Sequence, residues 1–368
     1  MSLDCLDGIK VLDLSQYIPG PFATRQLADM GARVVKIEPP QGDPMQGFGA
    51  PDDDGISIYY KVINAGKAVV RLDLKAQDGQ EAFKKLVAGA DVLLESFRPG
   101  TLERLGFGPE RLRELNPGLI HCALSGFGQT GPYRLRAGHD LTYVALAGAL
   151  AAQGTAERPV VADPPLADHA GALQAVSAIL AALIRRLRTG QGAYLDVSLF
   201  ESAMSWTYLE LTASQRPQGA TVREGGLING GAAYYRIYRC KDGRFAALGA
   251  LEPKFWQAFC EAAGHGELAG RHGDPFPQTA LIAAMEALFS SRSLDAWQSL
   301  LAKVDCCFEA VLAPSEALDH PHIASRGLSD KGPGWADLRL PLLLDQVTAG
   351  ARKPLEYRSA QELLADWD

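Results

Sequence analysis

The sequence predicts an α/β protein, with a large domain on a parallel, doubly wound sheet and a smaller α+β domain set into the chain. Two observations carry this. Strand-like and helix-like segments alternate through the first third of the 368 residues, the pattern of successive βαβ units. That rhythm stops at the Gly-rich stretch EGGLINGGA (224–232), and two apolar-alternating runs around Asp242-Gly243 then signal a hairpin.

Taken in order, KVLDLS (10–15) is a short apolar run and PFATRQLADMGA (21–32) a helix closed by Gly31. RVVKIE (33–38) is the second strand. AVVRLDLK (68–75), DVLLESF (91–97), LIHCALSGF (119–127) and AYLDVSLF (193–200) continue the series, with the amphipathic helix GQEAFKKLVAGA (79–90) between the first two. Long helical patterns follow Asp140 and Asp168, and shorter ones cover 253–264, 277–290 and 294–303. The large domain is placed at 1–215 and completed by 320–368, and the small one at 225–315. Linkers are expected near 215–225 and 315–325, with the tail ending ADWD returning to the large domain.

Composition narrows the function. A 47% hydrophobic, 21% charged chain is an ordinary globular protein. Its net charge of −7 argues against a nucleic-acid or anionic-membrane binder, which needs a broad basic face. A phosphorylated small molecule needs only a local basic patch. Six scattered cysteines without CxxC or zinc spacing predict neither a disulfide framework nor a structural metal, and fit a reducing cytosol. MSLDCLDGIK lacks the features of a signal peptide, and ALQAVSAILAALI reads as too short to span a bilayer. The expectation is a soluble, cytoplasmic protein.

The first turn, SQYIPGPF, has one glycine between prolines where a dinucleotide site needs three, so Glu38 is not read as a ribose-binding acid. No P-loop and no GxSxG elbow occurs. Asp168 precedes a long apolar helix and reads first as its N-cap. The same helix N-terminus offers N–H donors to a developing oxyanion. The helix dipole would lower this carboxyl's pKa, so a useful base needs desolvation to raise it again. His139 beside Gly138 reads as structural, Asp140 as a cap for the following helix, and Glu252 as a first-turn acid with Pro253 at N1. Together Asp168, His139 and Glu252 are three groups able to exchange protons, each at a turn before an apolar segment.

Several long motifs resemble the class III CoA-transferase (CaiB/BaiF) family: GPFATRQLADMGARVVKIEPP, ESFRPGTLERLGFGPERLRELNPGLIHCALSGFGQTGPY, AGHDLTYVALAGAL and TGQGAYLDVSLFESAM. The similarity runs nearly end to end, and GHDLTY with LEPKFW turns it toward the racemase branch, whose members epimerise 2-methylacyl-CoA thioesters. The resemblance implies a Rossmann-like large domain made from both chain ends, an inserted small domain and an interlocked homodimer. It makes His139 and Asp168 the two proton-transfer residues, with Glu252 supporting the histidine from the partner's small domain. CoA contacts are implied at Leu72, Asp73, Leu74 and Lys75, at Ser96, Phe97 and Arg98, at Arg104, and at Gly138, Asp140 and Tyr143. No metal or redox cofactor is implied, nothing beyond the CoA moiety of the acyl-CoA substrate.

Two departures from the racemase pattern stand out. Pro39 follows Glu38 where an arginine often contacts the nucleotide, leaving Lys36 or Lys67 as replacements. His169-Ala170-Gly171 stands in place of a glycine-rich run, so His169 is expected to perturb Asp168 and the added bulk to alter acyl-chain choice. Two alternatives remain: a CoA-transferase using Asp168 as nucleophile through an aspartyl-CoA thioester, and a catalytically silent acyl-CoA binder.

Overall fold

The computed structural model describes residues 3–216, 219, 222–331 and 335–367. The chain divides into two compact units. The first comprises Met1–Ala147, Ala162–Trp206 and Pro321–Asp368, and the second Gly148–Val161 and Thr207–His320. The segment 148–161, read from sequence as part of the large domain, therefore belongs to the second unit. Of the linker expected near 215–225, residues 217, 218, 220 and 221 lie outside the described residues.

The first unit is a seven-stranded sheet. Its strands are β1 (Lys10–Leu14), β2 (Arg33–Glu38), β3 (Ala68–Arg71), β4 (Val92–Glu95), β5 (Ile120–Ser125) and β6 (Ala193–Ser198). Their spatial order is β3-β2-β1-β4-β5-β6, and Glu356–Tyr357 from the C-terminal segment pairs parallel to β3 at the edge. Every pairing in this sheet is parallel, and β1, β2, β4 and β5 are almost wholly buried, as a sheet covered on both faces requires. Beyond the edge strand, Trp367 is buried and its indole N–H donates to Leu86 O at 2.8 Å.

Helix Leu166–Thr189 runs 24 residues and closes at Gly190 in the left-handed region, with Arg186 and Arg188 in its last turn. It is long and apolar enough to cross a bilayer, with a mean hydropathy of 1.4, so the expectation of a stretch too short to span fails on length. Half of that apolar window is buried, including Ala175, Ile179 and Leu183, as in a core helix. The helical pattern after Asp140 is shorter than expected: it stops at Leu146, where Gly148 (φ 82°) turns the chain.

The second unit holds the antiparallel sheet β7 (Tyr235–Arg239), β8 (Phe245–Gly249) and β9 (Phe308–Ala310). The hairpin turns at Gly243 with φ 83°, which a β-carbon would resist. Helices Pro253–Ala263, Thr279–Phe289 and Leu294–Leu301 bury Trp256, Phe259, Phe289 and Trp297 completely. Tyr238 stacks on Phe289 with centroids 4.6 Å apart.

Candidate active site

The sheet order creates the crevice. From β1 the chain winds outward to β2 and β3, and from β4 outward the other way, so the connections after β1 and β4 diverge at neighbouring strand ends. A cleft of about 120 Å³ opens there, lined by Leu14, Gln16, Pro39, Leu72–Lys75 and Phe97. Gln16 donates its backbone N–H to Ser96 Oγ at 3.1 Å, joining the two turns. Asp73 Oδ1 accepts the Lys75 backbone N–H at 2.9 Å, which shapes the turn and leaves the Lys75 side chain exposed. Arg98 is exposed on the turn after β4, and Arg104 is exposed with its guanidinium donating to Thr101 Oγ1 at 2.9 Å.

Lys36 and Lys67 are not available to this cleft. They are 0% and 1% exposed, with Lys36 Nζ 2.9 Å from Asp43 and Lys67 Nζ 3.0 Å from Asp13. Burial opposes the charge on Lys67 and pulls its pKa down to about 8 despite Asp13, while Asp13 and Asp43 overcome burial and raise that of Lys36. Their work is internal: Lys36 donates to Ser15 O at 2.8 Å, and Asp13 accepts the Ser15 N–H at 2.9 Å. Glu38 is equally committed, accepting from Tyr60 Oη at 2.6 Å and Gln46 Nε2 at 3.0 Å.

Asp140 organises the proton-exchanging groups. His139 is the N-cap of helix Asp140–Leu146, and Thr142 Oγ1 accepts the His139 backbone N–H at 3.1 Å. Asp140 Oδ1 reaches to the long helix instead of its own, accepting the N–H of Ala167 at 2.6 Å and of Asp168 at 3.1 Å. Asp168 therefore lies in the first turn, after Pro165 at the N-cap, and is not itself the cap. The Asp140 carboxylate thereby occupies two of the N–H groups read from sequence as donors to an oxyanion. Tyr143 packs over Gly138 and donates to its carbonyl at 2.7 Å. A Cβ on Gly138 would lie 2.5 Å from the Tyr143 ring, which explains the glycine before His139.

Burial raises the Asp168 carboxyl to about 7, with the Asp140 charge adding to it. Burial and the Asp168 and Asp140 charges push the Tyr143 phenol to about 12, while Arg98 pulls the other way. His169 takes no part in raising Asp168: its Nδ1 lies 2.6 Å from Pro165 O and its ring packs edge-on against Phe22. The His139 side chain is exposed, with its ring edge-on to Tyr17 at 6.2 Å. Glu252 belongs to the second unit, where it is exposed at the N-cap of helix Pro253–Ala263. Among the described residues no group of three His, Cys, Asp or Glu side chains is placed to hold a metal ion.

Sequence reasoning missed Gln16 and Tyr17. The available signal was their position directly after the first strand. Tyr17 has φ 62°, a conformation that non-glycine residues hold only when the surroundings enforce it. Here the buried Asp13 and Lys36 fix Ser15 on either side of its peptide.

A parallel sheet in this order, with its crevice at the switch point, is the architecture in which α/β proteins bind nucleotide-like ligands. The chain belongs to CoA-transferase family III, whose profile matches residues 6–346. It is 33% identical over 376 residues to alpha-methylacyl-CoA racemase from Homo sapiens, covering 98% of this chain and 93% of that protein. It is 34% identical over 337 residues to acetyl-CoA:oxalate CoA-transferase from Acetobacter aceti, covering 89% and 86%. The crystal structure of a CAIB/BAIF family protein from Brucella suis superposes with a TM-score of 0.86 at 28% identity, over 99% of both chains. Racemases and CoA-transferases thus stand together among its relatives.

Proposed function

We propose that the protein epimerises the 2-position of a 2-methylacyl-CoA thioester by 1,1-proton transfer between His139 and Asp168. The observation that carries this is the Asp168 carboxyl, raised to about 7 by burial and bound through its backbone to the residue after His139. A general acid–base group works best with its pKa near the working pH, and an ordinary aspartate lies well below it. A nucleophilic carboxylate has no such need.

In one direction Asp168 as carboxylate takes the α-proton, leaving an enolate, and protonated His139 delivers a proton to the opposite face. The two groups finish with their protonation states exchanged, ready for the other enantiomer. The cleft at Leu72–Lys75 and Phe97 takes the CoA moiety, with Lys75, Arg98 and Arg104 as its basic patch. The reading uses no metal or redox cofactor. It takes the working molecule as a homodimer in which the partner subunit's Glu252 supports His139. The reading takes a reducing, cytoplasmic setting.

The test is one enantiomer of a 2-methylacyl-CoA in deuterated water, followed by NMR and chiral analysis. Deuterium should enter the α-carbon while both configurations appear, and His139→Ala should stop this while still binding CoA. No exchange, together with CoA transfer between carboxylic acids and an acyl-enzyme at Asp168 trapped by hydroxylamine, would replace the racemase with a CoA-transferase.

A further inference from the structure

A second pair of buried titratable side chains lies under the cleft. Glu95 ends β4 beside Leu14 and Ala123, and His121 of β5 lies beside Leu93, so both project from one face of the sheet. They are 5% and 4% exposed, with His121 Nε2 3.9 Å from Glu95 Oε1. Neither His121 nitrogen has a hydrogen-bond partner, and a void of about 20 Å³ beside the ring has room for one water. Glu95 Oε2 accepts the Phe97 backbone N–H at 2.6 Å. The intervening Ser96 hydroxyl accepts from Gln16. One buried carboxyl thus holds the Ser96–Arg98 turn from beneath.

We propose that Glu95 is a positioning residue for coenzyme A: ionised, it clamps the Ser96–Arg98 turn in its binding shape, and protonated, it loosens that turn. This rests on the reading of the cleft as the CoA site. The physical basis is that an N–H bonds a carboxylate about twice as strongly as a neutral acceptor. Tyr194 and Asp196 of β6 share the face with Glu95, and Arg113 lines the void beside His121. Cys122 alternates to the opposite face, as does Asp13, which is bound up with Lys67. Burial raises Glu95 to about 7 and lowers His121 to about 4, so between these values Glu95 is protonated and His121 neutral. The clamp therefore tightens as pH rises through about 7.

The experiment is calorimetric titration with dephospho-CoA, which lacks the 3′-phosphate that itself titrates near pH 6. Wild-type Kd should be about fivefold weaker at about pH 6 than at about pH 8, the loss of one charge-assisted bond. Glu95→Gln keeps an oxygen acceptor without charge, so it should show the weaker Kd at both pH values. A flat wild-type profile, which needs no variant, overturns the proposal, as does a Glu95→Gln protein that keeps the wild-type ratio. Lys75→Glu separates the two levels. If it leaves Kd unchanged, the cleft reading falls and the clamp with it. If it weakens binding while the pH profiles are flat, only the clamp falls.

Discussion

Replacing Asp168 with asparagine should make the protein more stable while abolishing α-proton exchange. The carboxyl makes no side-chain hydrogen bond among the described residues, so the isosteric amide removes a charge and little else. A rise from 3.8 to about 7 corresponds to about 4 kcal/mol at about 1.36 kcal/mol per pKa unit, which solvent screening of a partly exposed group cuts to about 2 kcal/mol. Losing a first-turn anion from the helix dipole takes back about 0.5 kcal/mol, leaving Asp168→Asn about 1.5 kcal/mol more stable. The sign follows from linkage. A carboxyl raised in the folded state costs nothing below the unfolded value of 3.8, costs increasingly more up to about 7, and a constant amount above it. Urea unfolding of both proteins at about pH 5, 6, 7 and 8 should give a difference that grows and then levels near pH 7. A difference independent of pH, or a variant less stable at pH 8, would refute a desolvated Asp168.

Two other substitutions probe the surroundings. Asp140→Asn keeps an oxygen for the Ala167 and Asp168 N–H groups but removes the charge that raises Asp168. The acid limb of the pH–rate profile should move to lower pH with little change in melting, whereas Asp140→Ala should also cost about 1 kcal/mol of stability as a lost cap. Lys67→Met leaves Asp13 buried without its cation and should cost about 3–5 kcal/mol, while CoA affinity of the folded protein stays at the wild-type value. A tenfold loss of affinity without lost stability would return Lys67 to the nucleotide site.

Much of the fold is legible along the chain. The run 33–38 becomes β2 residue for residue, because a parallel strand covered on both faces reads as a continuous apolar segment. The Asp242-Gly243 hairpin forms because its turn needs the positive φ that Gly243 supplies. The errors are equally physical. Asp168 before an apolar helix has the local signature of an N-cap, yet the acceptor for that helix is Asp140, 28 residues earlier. No local pattern records a cap delivered from another segment. The helical pattern after Asp140 runs longer in sequence than the helix does in the structure because its small apolar residues continue past Gly148, where the backbone turns.

Periodicity, turn residues and motif spacing determine the alternating elements, the hairpin and the three acid–base candidates, since these depend on neighbours in the chain. Which charges meet water depends instead on packing. Lys36 and Lys67 look like any surface cations in sequence, and folding seals them against Asp43 and Asp13. Asp168 looks like an ordinary cap, and burial beside Asp140 brings its carboxyl to about 7. Desolvation and the distance between charges arise from segments far apart in the chain coming together, so only the folded molecule settles them.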